Sequence, residues 1–203
     1  MPFPAFYDDA PRIRVRDPLS AFLGASDGGV LEYGYTDAVR LAGHSCPTLA
    51  GAYLMTVKAL NHLYGDSLPE RGGIQVHFRE TETTSATGVM GRVAALLTGA
   101  AGDDGFKGIA GQFDRRGRLF FGAGIEGDVG FRRLDTGEGV QARFRGAVVP
   151  SSPETRDLLP AVLNGTGTAD DAERFRALWQ GRVKAILVDH ADDPALVELS
   201  AWA

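Results

Sequence analysis

Two rhythms of apolar residues organise this chain. From residue 46 to 64, Leu49, Tyr53, Val57, Leu60 and Tyr64 recur at helical spacing. Ser45 is a suitable N-cap for that helix, Pro47 suits its first turn and Gly65 its stop. Residues 74 to 79 alternate apolar and polar, which predicts a half-buried strand with His77 on its polar face. A second helix is expected over 85 to 98, with Val89, Val93, Leu96 and Leu97 inward and Gly99 ending it. A short helix is expected over 36 to 41 with Thr36 as N-cap, and a long one over 170 to 188 carrying Phe175, Leu178, Trp179, Val183, Ile186 and Leu187. Asp193-Pro194 reads as the start of a last helical turn.

Between residues 105 and 144 the rhythm shortens. β-rich pieces alternate with turn signals, the pattern of an antiparallel meander. Helices, one strand and then a run of strands predict an α+β fold: an antiparallel sheet packed against the 46–64 helix, with a C-terminal helix added. The organisation expected is an N-terminal arm over 1–35, whose first eighteen residues carry four prolines, a core over 36–150, and a helical extension over 151–203.

Composition changes this picture little. Hydrophobic residues make up 44% and charged residues 23%, enough for a sizeable core. The net charge of -5 argues against nucleic acid as the main partner, because phosphate binding leans on clustered Lys and Arg. No run of about 18 apolar residues is present to span a membrane. The chain has one cysteine, so no intrachain disulfide can form, and with no secretory signal at its start the expected compartment is the cytoplasm.

The chemistry concentrates at Gly43-His44-Ser45-Cys46-Pro47. In an extended segment, residues two apart point the same way, so His44 and Cys46 share a side. Imidazole nitrogen and thiolate sulfur are both good ligands for zinc and similar divalent ions. A helix start also stabilises an anion, which favours the reactive thiolate. The same residues therefore suit metal ligation or nucleophilic chemistry, with Cys46 and His44 as the catalytic candidates. His77, followed by Glu80 and Glu82, is the candidate third metal ligand or proton shuttle. His62 and His190 read as structural, and Asp103-Asp104 as a turn.

Gly43-His44-Ser45-Cys46-Pro47, followed by Leu49-Ala50-Gly51-Ala52-Tyr53, resembles the signature helix of the FmdE-like family of formylmethanofuran dehydrogenase-associated proteins, whose pattern is Gly-His-x-Cys-Pro before a Gly-bearing helix. The resemblance continues through Leu97-Thr98-Gly99, Gly105-Phe106-Lys107-Gly108 and Phe131-Arg132-Arg133-Leu134-Asp135-Thr136-Gly137, covering roughly residues 36 to 150. It implies a dimeric α+β core with a metal-associated site near His44 and Cys46. Where members often carry a further His this chain has Ala42, and the family's Thr-Gly-Cys-Thr is Thr98-Gly99-Ala100-Ala101. Two functional expectations stand side by side. One is a metal- or thiolate-centred protein, either an enzyme or a metalloenzyme accessory factor. The other is a non-catalytic module that binds a second copy of itself or a small molecule.

Overall fold

A computed structural model describes residues 3 to 203. Its centre is helix α3 (Pro47–Tyr64), preceded by α1 (Pro18–Leu23) and α2 (Tyr35–Ala42). Thirteen of the 18 residues of α3 are buried, so it is covered nearly all round rather than along one stripe. Pro47 sits at its first turn as expected, but the N-cap is Cys46 rather than Ser45. Cys46 has extended backbone, and its Sγ accepts the Leu49 N–H at 3.3 Å. Likewise α2 is capped by Gly34, not Thr36, with the Asp37 carboxylate accepting the Gly34 N–H at 2.9 Å.

The main sheet has strand order β4-β3-β5-β6-β7, formed by β3 (Ile74–Phe78), β4 (Leu119–Phe120), β5 (Val129–Arg133), β6 (Gly139–Phe144) and β7 (Val197–Ala201). Ile74, Val76, Phe78, Val129, Phe131, Val140 and Ala142 point into the core shared with α3 and with α4 (Thr87–Thr98). Gly51 lets α3 approach β6: a Cβ there would stand 2.6 Å from the Phe144 ring.

The α+β class holds, with two corrections of detail. The sheet is not wholly antiparallel. β3 and β4 run parallel, with α4 in the crossover between them. Residues 105 to 118 form turns rather than strands, with an isolated bridge between Ile109 and Gln112 and the Arg115 N–H donating to the Phe106 carbonyl at 2.9 Å. The chain there takes left-handed backbone at Gly108, Ala110, Gly111, Phe113 and Gly117, which no strand accommodates. The last turn starts at Asp193 as expected: its carboxylate accepts the Ala195 N–H, and its carbonyl accepts the Leu196 and Val197 N–H groups. After α5 (Pro153–Leu163), α6 (Ala169–Lys184) and a π-helical turn over Ala185–Asp189, the chain turns and enters β7.

The N-terminal segment packs on its own chain. Strands β1 (Ile13–Arg16) and β2 (Val30–Tyr33) form a separate antiparallel pair. Tyr7, Ala10, Ile13 and Val15 join the same apolar cluster as Val183, Leu187 and Leu196. The Tyr53 hydroxyl on α3 donates to the Pro11 carbonyl at 2.6 Å and ties this segment to the core. Among the described residues no helix is long and apolar enough to cross a membrane.

Candidate functional site

Helix α2 ends at Gly43, whose φ of 73° turns the chain toward α3. The turn places His44 at the surface, with Nδ1 3.0 Å from the Ala42 carbonyl oxygen. Cys46 follows, half-buried at the head of α3.

Ser45, between them, is the anchor. Its hydroxyl lies 3.0 Å from the Tyr35 hydroxyl and donates to Gln180 Oε1 at 3.2 Å. Tyr7 donates to the same Gln180 oxygen at 3.2 Å, and Trp179 Nε1 donates to the Ser45 carbonyl at 2.9 Å. Helix α6 thus clamps the segment that carries the thiol. Burial raises the Tyr35 pKa above its ordinary value, the Ser45 hydrogen bond opposes the rise, and the charges of Tyr7 and Cys46 add to it. Burial also raises the Tyr7 pKa. Both phenols are therefore neutral near pH 7 and act as hydrogen-bonding groups.

The residues expected at the site are not all brought together. His77 projects from β3 on the face opposite α3, since its neighbours Val76 and Phe78 fill the core. Its ring stacks on Phe120 with centroids 4.5 Å apart and meets Trp202 edge-on at 4.9 Å. Nε2 of His77 is buried and has no partner in the described residues. Burial foremost, then the Arg132 charge, lowers the His77 pKa, so the ring is neutral. Glu80 pairs with Arg79 rather than with His77. His77 belongs to the packing beneath Trp202, against which Gly130 and Gly139 lie in close contact.

Among the described residues, no group of three or more His, Cys, Asp and Glu side chains gathers where a metal ion could be held. The chain brings two ligand-type side chains, His44 and Cys46, to one segment. Sequence reasoning did not find Tyr7, Tyr35 or Gln180. Trp179 was visible only as one residue of an apolar stripe, whereas its indole N–H holds the site segment.

An α+β domain whose central buried helix opens on Gly-His-x-Cys-Pro defines the class of protein. The chain matches the family described as "FmdE, Molybdenum formylmethanofuran dehydrogenase operon" over residues 41–193, and it belongs to that family. No curated protein matches the chain at a significant level.

Proposed function

We propose that this protein works through a thiolate-centred site, with Cys46 as the reactive group and His44 as the residue that shares a proton or an ion with it. The observation that carries this reading is the placement of Cys46. It caps an 18-residue helix, its Sγ receives the Leu49 N–H, and it stays half-buried, two residues along the chain from the exposed His44. A purely structural cysteine is more often sealed in the core and inert. At a helix start the free N–H groups favour the anionic sulfur, which is both nucleophile and soft ligand. A free thiol also suits a reducing, cytoplasmic setting.

Alkylation by iodoacetamide at pH 7 tests the reading. Wild type is expected to react about tenfold faster than a cysteine in an unstructured peptide. Cys46→Ser removes the reaction and His44→Ala slows it. Wild-type reactivity equal to that of the peptide, unchanged by His44→Ala, would leave Cys46 a packing residue in a non-catalytic module.

The pairing of nitrogen and sulfur donors favours a second reading, a divalent ion such as zinc. Two donors from one chain leave the remaining positions to water or to a second copy. We therefore expect metal content, if any, to fall in both His44→Ala and Cys46→Ser, and not in His77→Ala. A homodimer is the companion proposal, favoured by Phe22, Leu23, Leu159 and Leu163 on the surface, the last 77% exposed. Light scattering should report twice the chain mass of 21.6 kDa. A monomer across micromolar concentrations would overturn this.

A further inference from the structure

At the far end of α3 from Cys46, about 27 Å along the axis at 1.5 Å per residue, three guanidinium groups converge on one cavity. Its volume is about 330 Å³, and Arg71, Gly72, Phe113, Arg115 and Arg118 are among its walls. Arg115 is only 7% exposed. Its Nη2 donates to Asp17 Oδ1 at 2.6 Å, while Arg71 Nη1 donates to Asp17 Oδ2 at 2.8 Å. Nη1 of Arg115 is buried and has no partner in the described residues. It lies against Gly72, where a Cβ would overlap it, so the Arg115 guanidinium can sit at this wall only because residue 72 is glycine.

The charges at this wall do not balance. Asp17 is one carboxylate shared by two guanidiniums. Asp114 is already held by Arg116 through Nε and Nη2. Arg118 forms no ion pair among the described residues, and Glu70 is the one lining carboxylate left to face it. One positive charge is in excess, in a chain whose net charge is -5. Burial and then the Arg115 charge lower the Arg118 pKa from its ordinary value, a cost that a bound anion would relieve.

The surroundings have the shape of a binding site. A second cavity of about 310 Å³ shares Glu70, Gly72 and Arg118 with the first and extends past Tyr64 to Asp135. The loop that supplies Arg115 carries left-handed backbone at two non-glycine residues, Ala110 (φ 50°) and Phe113 (φ 63°). Such conformations are uncommon and cluster at ligand clamps.

We propose that this cavity binds a small oxyanion, the phosphate or carboxylate head of a metabolite. Guanidinium groups suit such heads, because their planar donor forks match oxyanion geometry. The proposal stands independently of the thiolate reading, since no residue is common to the two sites.

The test is calorimetric titration of the full chain with inorganic phosphate and, separately, with succinate, at fixed ionic strength. The variants are Arg118→Gln, which leaves the Asp17 ion pairs intact, and the exposed control Arg156→Gln. Saturable binding at one site per chain is expected for at least one probe. Its Kd should rise about tenfold or more in Arg118→Gln, the loss expected for one charge-assisted hydrogen bond, and stay unchanged in Arg156→Gln. Phosphate alone, succinate alone or both would support the site and identify its head group. No saturation by either probe below about 10 mM, or equal weakening in both variants, would overturn it.

Discussion

Replacing Asp17 by Ala is expected to destabilise the fold by about 3–5 kcal/mol, the cost of removing one partner from a buried ion pair. Asp17 is 4% exposed, and its carboxylate does three things at once. It caps α1 through the Leu19 and Ser20 N–H groups, and it holds both Arg71 and Arg115. Without it, Arg115 is a buried cation with no carboxylate. Urea unfolding measures the loss, and a change below about 1 kcal/mol would show that the network is not buried as described. The same residue predicts a pH dependence. Burial pushes the Asp17 pKa up, but the Arg71 hydrogen bond, the Arg115 charge and the Ser20 N–H outweigh it, so the net shift is below the ordinary 3.8. A depressed carboxylate contributes stability that is present above the unfolded value and lost as pH falls through the folded one. Wild type should therefore lose stability as pH drops below about 4, and Asp17→Asn should show a shallower fall over that range.

The second large effect is expected at Phe131. This residue lies at the middle of β5, opposite Val76 on β3 and Val140 on β6, and is fully buried in the cluster shared with α3. Phe131→Ala should cost about 3–5 kcal/mol, from lost transfer energy and from a cavity that a five-stranded sheet cannot collapse to fill. Phe120 provides the contrast. It is the same residue type in the same sheet, but it is 36% exposed on the opposite face, over His77. Phe120→Ala should stay within about 1 kcal/mol, in the range of surface substitutions. Equal losses at the two positions would mean that the outer face is as sealed as the inner one.

The helices of this fold are legible because their signals are local. Pro47 and Gly65 bracket α3, and the apolar spacing between them marks it as a helix, though burial extends well beyond that one face. Alternation likewise predicts β3 and places His77 on its polar side. What could not be read is pairing over distance. Nothing near residues 119–120 states that they will lie parallel to β3, and nothing near 197–201 states that β6 is waiting for them. The 105–118 stretch misleads for a different reason. Its Phe106, Ile109 and Phe113 are of types that favour strands and its glycines read as turns between them, but Ala110 and Phe113 adopt backbone that only the surrounding turns can enforce. The site divides in the same way. His44 and Cys46 are visible because a cap, a proline and two ligand-type residues sit within four positions. Gln180 is invisible, because its role depends on α6 crossing a segment 135 residues away.

The order of the strands bears on how the protein is made. β6 is complete at residue 144, while its neighbour β7 begins at Val197 and pairs with it through residue 201. On a translating ribosome working at about 5–20 residues per second, the outer edge of β6 waits roughly 3 to 11 seconds for its partner. A bare strand edge invites pairing with other chains, and charge along it is one of the usual deterrents. β6 carries Arg143, and Arg145 follows just beyond it. In the finished protein Arg145 meets Glu198 of the late-arriving strand in an ion pair of 2.6 Å. The same positive charge that keeps strangers off the nascent edge becomes, once residue 198 emerges, a contact that helps set the register of the final strand.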